Sequence, residues 1–298
     1  MDHKPVLFQE VMAALRKEGP ALYLDCTFGG GGHTRGLLES NAEAAVVGLD
    51  CDPEAAERAT AFCEKRFEFI ALNFGKLATL DRGPFDGILM DLGVSSFQLD
   101  TAERGFSFNK EAPCDMRMDT RSGVTAAQFL ETASEAELTR AIRDFGEEVA
   151  WRKVVRSIIE TRETHTWDTT TALAAWLADL LPKHTRIHPA TKVFQGIRIA
   201  INDELGNLER GLLAAFAKLK PGGVLAVISF HSLEDRIVKQ FFREKAGLPI
   251  DRHDARCQDD RAVQATLLTK KPIIPTSVEC AQNPRSRSAK LRILQKSF

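Results

Sequence analysis

Four mainly apolar runs dominate the first third of the chain, and three of them end in an aspartate. They are Ala21–Asp25, Ala44–Asp50, Phe67–Phe74 and Phe85–Asp91. The runs are apolar rather than alternating, and helix-compatible sequence separates them. This pattern is typical of buried parallel strands with helices on both faces of the sheet. The sequence therefore predicts an α/β fold with a mostly parallel, doubly wound sheet.

The periodicity changes after Ser107. From Val124 to about Leu181 the apolar positions recur at helical spacing, and no strand candidate interrupts them. A capping box is predicted at Ser134 and Glu137. The amphipathic run from 150 to 160 is expected to share one apolar face, formed by Trp151, Val154, Val155, Ile158 and Ile159.

Strand patterns return near the carboxyl end, after a helix predicted near Asn202–Leu219. The new runs are Gly222–Phe230, Leu267–Ile274 and Lys290–Gln295. We therefore expect one α/β domain interrupted by a helical insertion, not two domains in series. The predicted parts are residues 1–107 and 206–298 for the α/β domain and 108–205 for the all-helical insertion.

The composition and the apolar runs argue against membrane and secreted proteins, but they do not indicate whether the protein binds nucleic acid. The 298 residues include 40 Lys and Arg against 41 Asp and Glu, so any basic surface must be local. No apolar run reaches the roughly 18 residues of a membrane span, and Met1–Pro5 lacks the apolar core of a signal peptide. We expect a cytoplasmic protein with no membrane partner.

The six cysteines form no CxxC pair and no close Cys/His cluster. This spacing argues against both a structural zinc and a redox dithiol. No metal site is predicted.

A glycine loop follows the first predicted strand. Gly29–Gly32 lets the chain turn sharply and lets a ligand approach the backbone, while the next helix offers free N–H groups. The dinucleotide pattern GxGxxG fits poorly, because Thr34 or Arg35 occupies its sixth position. The pattern acid-x-x-x-Gly-x-Gly fits, and an acid at Asp25 can face the ammonium group of S-adenosylmethionine.

The second strand ends at Asp50, about 20 residues further on, where a carboxylate can accept both ribose hydroxyls of a nucleoside. Dinucleotides share this feature, so a nicotinamide dehydrogenase stays open, although the glycine register disfavours it. A simpler interpretation is that Gly29–Gly32 is only a tight turn and Asp25 a cap. His33 is either a ligand contact or a helix-start residue that binds backbone.

Residues just after the third and fourth strands are the next candidates, because ligands of doubly wound sheets lie beyond the carboxyl ends of the strands. Phe74 could lie against an adenine or belong to the core, and spacing does not decide between them. Asp91 ends the apolar run Ile88–Met90 and would be costly to bury without a partner. We expect Asp91 to face the cleft.

Six motifs resemble those of the bacterial ribosomal RNA small subunit methyltransferase H family, also called MraW. They are Asp25–His33, Asp91–Gln98, Arg104–Phe108, Asp115–Met118, Ser229–Arg236 and Asn283–Ser288. The resemblance runs from His3 to Arg292, and several motifs in order make it specific. It implies a Rossmann-like class I methyltransferase fold with an inserted all-helical domain.

The resemblance also implies an activity. This is S-adenosylmethionine-dependent N4-methylation of a cytidine in the decoding region (P site) of 16S ribosomal RNA in the small subunit. Residues 108–205 would then be an RNA or substrate domain, and family members can be homodimers. Carried over residue by residue, the donor site comprises Gly31, Gly32, His33, Asp50, Phe74, Asp91 and Gln98.

Methylation of an exocyclic amine needs help from the protein, because the lone pair of the cytosine amine is delocalised into the ring. An acceptor that binds its N–H favours the reactive pyramidal form. Our hypothesis gives this role to Asp91 or to a backbone carbonyl after the fourth strand, while Phe230 and His231 shape the base pocket. The catalytic candidates are therefore Asp91 and His231.

Two other functions fit parts of the sequence. Cytosine C5 methylation would need a nucleophilic cysteine, and Pro113-Cys114 resembles the required dipeptide, but a second cysteine motif is missing. A non-catalytic RNA-binding or assembly factor would not require the three acids Asp25, Asp50 and Asp91.

Two basic clusters could contact RNA phosphates, although either could be a solvated face. The first comprises His184, Arg186, His188, Lys192 and Arg198. The second comprises Arg285, Arg287, Lys290 and Arg292.

Overall fold

A computed structural model describes residues 5–164, 167–182 and 187–298. Its strands are β1 (Ala21–Asp25), β2 (Ala44–Asp50), β3 (Phe67–Ala71), β4 (Phe85–Asp91), β5 (Leu219–Ser229), β6 (Ala265–Leu267) and β7 (Lys290–Lys296). They form one seven-stranded sheet in the order β3-β2-β1-β4-β5-β7-β6. Strands β1 to β5 are parallel, and β7 is antiparallel to β5 and β6. The predicted doubly wound α/β fold is confirmed.

Strand order reverses beside β1, which pairs with β2 on one side and β4 on the other. Chain segments leaving β1 and β4 therefore emerge side by side, and this is where doubly wound sheets bind ligands. The strands there are buried as predicted: six of the seven residues of β4 are buried, and only Asp91 is not. An apolar run that ends in an acid thus places that acid at the open edge of the sheet.

The helices of the molecule separate into two sets. Beside the sheet lie α1 (Phe8–Leu15), α2 (Gly32–Ser40), α3 (Pro53–Thr60), α10 (Glu204–Lys218), α11 (Ser232–Lys245) and α12 (Ser277–Gln282). The others are α4 (Ser96–Asp100), α5 (Ala126–Thr132), α6 (Glu135–Thr139), α7 (Trp151–Thr161), α8 (Thr170–Leu180) and α9 (Ala190–Asn202).

Chain contacts divide the molecule into two compact units. The first contains the chain up to Gly93 together with Leu205–Phe298, and the second is Val94–Glu204. Residues 94–107, which the sequence pattern placed with the α/β part, thus belong to the second unit. Gly93 itself has φ +85°, a left-handed conformation that glycine adopts without strain.

The second unit has its own hydrophobic core and is built from α4 to α9 in its described residues. Its helix starts follow the local sequence, and the capping box predicted at Ser134 and Glu137 is confirmed. In α7 the side chains of Val154, Val155 and Ile158 are buried, as the periodicity predicts. Ile159, predicted to share this apolar face, is 37% exposed.

Three strand predictions differ from the structure by more than one residue in their bounds, and β7 extends one residue beyond its prediction, to Lys296. β3 stops at Ala71, because Asn73 caps a 3-10 turn at Phe74–Thr79 instead of continuing the strand. The predicted run Leu267–Ile274 yields only the last residue of β6 and an isolated bridge from Ile273 to Leu291. β5 begins at Leu219, earlier than predicted.

Within the described ranges, none of the helices combines the length and the apolar character needed to cross a bilayer.

Candidate functional site

The glycine loop between β1 and α2 depends on its glycines. Gly29 has φ +54° and Gly31, the N-cap of α2, has φ +74°. The Gly31 N–H donates to the carbonyl of Phe28 at 2.6 Å, which closes the turn. A Cβ on Gly31 would lie 2.7 Å from the Phe28 ring, and one on Gly32 would collide with Pro5. Gly31 and Gly32 therefore permit a backbone path that other residues would block.

Asp25, at the end of β1, is directed at the protein rather than at solvent. Its residue is 1% exposed, and one carboxylate oxygen accepts from the Thr34 hydroxyl at 2.8 Å. The other accepts from the Thr27 N–H at 3.1 Å. Burial raises its pKa to about 6, although these hydrogen bonds oppose the rise. The expectation that Asp25 faces a ligand's ammonium group is not supported by this geometry.

Asp50, at the end of β2, supports the glycine loop from the neighbouring strand. Its Oδ2 accepts from the Gly29 N–H at 2.8 Å, and its Oδ1 accepts from the Asp52 N–H at 2.9 Å. Burial raises the pKa of the carboxyl, and the two N–H groups oppose that rise. Each carboxylate oxygen keeps a second lone pair, so the half-buried side chain can accept further hydroxyl donors.

His33 and Asp91 face each other beside this loop. His33 is 6% exposed, and its Nε2 lies 3.2 Å from the carbonyl of Val6. Because a carbonyl only accepts, Nε2 carries the proton and Nδ1 is the nitrogen that faces the acid. The distance from Nδ1 to Asp91 Oδ2 is 3.7 Å. The ring therefore connects the amino-terminal segment to the end of β4.

Asp91 is the least satisfied carboxylate at this edge. Its side chain is 25% exposed, and its backbone N–H is held by the Thr27 hydroxyl at 2.8 Å. Within the described chain its Oδ1 is buried and has no hydrogen-bond partner. Burial raises the pKa of Asp91 well above its usual range, and the negative charges of Asp25 and Glu234 raise it further. A cationic ligand at this position would relieve that cost.

Phe74 and Gln98 have clear structural roles. The half-buried ring of Phe74 packs on α10, where a Cβ on Gly211 would lie 2.7 Å from it. Gln98 belongs to the second compact unit. It completes a capping box, because its Oε1 accepts from the Ser95 N–H at 2.9 Å. The other six residues carried over for the donor lie in the first unit.

His231 starts α11 and is held by Glu234. Its Nδ1 accepts from the Glu234 N–H at 3.5 Å, and its Nε2 lies 3.3 Å from Glu234 Oε1. Glu234 Oε2 in turn accepts from the N–H groups of Phe230 and His231 at 2.7 and 3.2 Å. His231 therefore has a capping role, and Phe230 is positioned at the end of β5 with its ring 3.4 Å from where a Cβ of Gly93 would lie.

Sequence reasoning missed three residues that organise this edge, namely Thr27, Thr34 and Glu234. Thr27 joins β1 to β4 through Asp91, and Thr34 satisfies Asp25. Only Glu234 left a signal in the sequence, because an acid three residues after His231 is the spacing of a capping box.

The alternative hypothesis of cytosine C5 methylation requires Cys114 as the nucleophile, and the structure makes this residue unsuited to nucleophilic attack. Cys114 is 2% exposed. Burial is the main cause that raises the pKa of its thiol to about 12, and the negative charges of Asp115 and Asp168 contribute to the rise. The thiolate is the attacking species, so a buried neutral thiol is inert.

The described members of the two basic clusters differ in their contacts and in their exposure. In the first, Arg198 pairs with Glu204 at 2.7 Å and Lys192 donates to the Glu147 carbonyl at 2.9 Å. His188 packs on Phe108, while the predicted contacts His184 and Arg186 lie outside the described residues.

In the second cluster, Lys290 and Arg292 both bind Asp235, at 3.2 and 2.8 Å. Arg285 and Arg287 are exposed.

Comparison with known proteins gives one consistent result. A family model described as the MraW methylase family matches residues 1–297. The ribosomal RNA small subunit methyltransferase H of Magnetococcus marinus is 47% identical, covering 99% of this chain and 98% of the relative. Its counterpart in Syntrophotalea carbinolica is 46% identical over the same shares. A third, from Methylobacterium nodulans, is 46% identical over 97% of this chain and 89% of its own.

Proposed function

Because the chain belongs to the MraW methylase family, we propose that it transfers a methyl group from S-adenosylmethionine to ribosomal RNA of the small subunit. The finer proposal is N4-methylation of a cytidine in the decoding region of 16S ribosomal RNA. Support for the RNA substrate comes from relatives named ribosomal RNA small subunit methyltransferase H, which align over nearly their whole length.

The residues at the strand ends fit the proposed donor. S-adenosylmethionine supplies an activated methyl group on a sulfonium when bound, and it carries a second cationic centre in its ammonium group. Asp91 offers a buried oxygen without a partner in the described chain, which is the observation that carries this proposal. Asp50 would accept from the ribose, and Gly31 and Gly32 would leave room at the loop. Phe74 belongs to the same proposed donor set, and the part that the resemblance gives to Gln98 stays a prediction.

Asp91 is the proposed acceptor for the N–H of the target amine. A cytosine amine loses one proton when its nitrogen gains a methyl group, so a nearby base must receive it. A carboxylate whose pKa is already raised by burial holds a proton more readily than an exposed one. The Nδ1 of His33, 3.7 Å from Asp91 Oδ2, would share that proton and orient the acid.

His231 is proposed to act by positioning rather than by proton transfer. Its ring caps α11 and is held by Glu234, so it holds the segment that follows β5 in one conformation. Phe230, immediately before it, would then provide an apolar wall for the base.

One experiment tests the function directly. The protein is incubated with labelled S-adenosylmethionine and undermodified small ribosomal subunits, and the labelled nucleoside is identified by mass spectrometry. N4-methylcytidine is expected. Label in 5-methylcytidine, or in no nucleoside at all, contradicts the proposal. Failure to bind the donor in calorimetry would favour a non-catalytic assembly factor.

A further inference from the structure

A short turn with two arginines lies at the same edge of the sheet as the candidate site. This 3-10 turn, Pro284–Ser288, directly precedes β7. The first residue of β7, Lys290, pairs with Ser229 at the end of β5. One residue earlier in β5, Ile228 pairs with Asp91. The register therefore places the arginine turn beyond the edge at which β1, β2 and β4 present their acids.

The turn is anchored so that both arginines are displayed. Ser286, in its centre, is 0% exposed. Its hydroxyl and its N–H donate to the Asn283 carbonyl at 2.8 and 3.0 Å. Arg285 and Arg287 flank this buried serine, and both are exposed. Two guanidinium groups are thus presented from a five-residue segment whose centre is fixed.

Neighbouring basic residues of the cluster are less exposed, since Lys290 is half-buried and Arg292 is 8% exposed. Lys290 and Arg292 both bind Asp235 within the first unit, so their charges are largely neutralised by that acid. The pKa of Asp235 is lowered, because these two cations outweigh the effect of burial. Exposure therefore distinguishes the two arginines of the turn from Lys290 and Arg292.

We propose that Arg285 and Arg287 contact phosphates of the RNA substrate beside the reaction site. The inference rests on the proposed function and names a surface for that substrate. Arginine presents a planar donor fork that matches phosphate oxygens, and its charge is permanent. Phosphate contacts of this kind orient a nucleic acid without reading its sequence. The turn would hold the RNA backbone while the target base reaches the strand ends.

The test compares two double variants that lose the same charge at opposite edges of one sheet. The first is Arg285→Gln with Arg287→Gln. The control is Arg16→Gln with Lys65→Gln, since both residues are exposed and precede β1 and β3 respectively. Each variant loses two positive charges, so a purely global charge effect would appear equally in both.

Affinity for undermodified small subunits is measured between about 50 and 200 mM salt. Loss of two phosphate contacts lowers the salt slope by about 1.4 to 1.8, so wild-type affinity should fall roughly tenfold more than the variant's over this range. The control should keep the wild-type slope. At saturating subunits the turn variant should keep its kcat while its KM for subunits rises, with donor affinity unchanged.

Equal salt slopes for the two variants would overturn the proposed surface. Such a result with an active wild-type enzyme leaves the proposed function intact. A wild-type protein that transfers no methyl group to the subunits would instead refute the function itself.

Discussion

Strand β4 carries one aspartate near each end, and the protein treats the two in opposite ways. Near its start, Asp86 accepts from Lys17, from Lys220 at 2.8 Å and from the Leu22 N–H at 2.8 Å. Burial raises the pKa of Asp86, but the two lysines outweigh it and the net pKa is lowered.

At the other end of the strand the Asp91 side chain is 25% exposed and lies 3.7 Å from His33 Nδ1. Burial and the charges of Asp25 and Glu234 raise its pKa, and among the described residues its buried Oδ1 has no hydrogen-bond partner. On the same strand, the Asp86 carboxylate accepts hydrogen bonds from three protein groups, whereas the Asp91 Oδ1 has no hydrogen-bond partner among the described residues. Buried charge without a partner is costly, and such groups are concentrated at functional sites.

The largest expected effect comes from Asp91→Asn. Loss of the proton acceptor should slow methyl transfer at saturating donor by at least about a hundredfold. The melting temperature should not fall, because an unsatisfied carboxylate is replaced by a neutral amide. Single-turnover rates and thermal unfolding measure the two effects. The matched control is Asp86→Asn, the same substitution near the other end of the strand. Normal turnover in Asp91→Asn would show that Asp91 is not the proton acceptor.

Asp25→Asn should change stability in a pH-dependent way. Burial raises the pKa of Asp25 to about 6 in the folded protein, from 3.8, so the folded state holds a proton that the unfolded chain releases. The stability contributed by that proton is present at low pH and is lost as pH rises through about 6.

The asparagine variant should therefore be more stable than wild type by roughly 2–3 kcal/mol at pH 8 and no more stable near pH 4. Urea unfolding at the two pH values measures this. A pH-independent difference would show that Asp25 is ionised throughout.

Asp86→Asn should lower stability and leave catalysis intact. The side chains of Lys17 and Lys220 are 47% and 39% exposed, so solvent screens both ion pairs. We expect a loss of about 1–2 kcal/mol in the free energy of unfolding. Chemical denaturation measures this free energy. If Asp86→Asn slowed turnover as much as Asp91→Asn does, the proposed difference in role between Asp86 and Asp91 would be wrong.

Cys114→Ser should have the smallest effect on chemistry. The thiol is buried with a pKa of about 12, so it has no part in the proposed transfer. Turnover of the folded variant should match wild type within about threefold, measured on subunits with labelled donor. Abolished transfer with intact donor binding would revive C5 methylation.

The fold could be predicted to a large extent from the sequence. β1, β2 and β4 have the predicted bounds, because an uninterrupted apolar run closed by an acid is a local signal. The motifs also identified the MraW family, which the family match over residues 1–297 confirms. The run Leu267–Ile274 failed as a strand, since it contains Lys270, Lys271 and Pro272.

The candidate site was less predictable, because a strand-end acid does not reveal which way its side chain turns. Asp25 and Asp91 have the same position at the ends of neighbouring strands. Asp25 is satisfied by Thr34, nine residues later on α2, whereas Asp91 faces the ring of His33. Both partners lie on α2, so they depend on how this helix packs against the sheet. The local sequence pattern does not predict that packing.

Proton release on donor binding tests the central claim most directly. A cationic donor beside Asp91 should favour its ionised form and expel the proton that burial retains. S-adenosylmethionine is titrated calorimetrically into wild type and Asp91→Asn at pH 7, in two buffers of different ionisation enthalpy. The account predicts more proton release from wild type than from the variant. Equal proton release from the two proteins would contradict it.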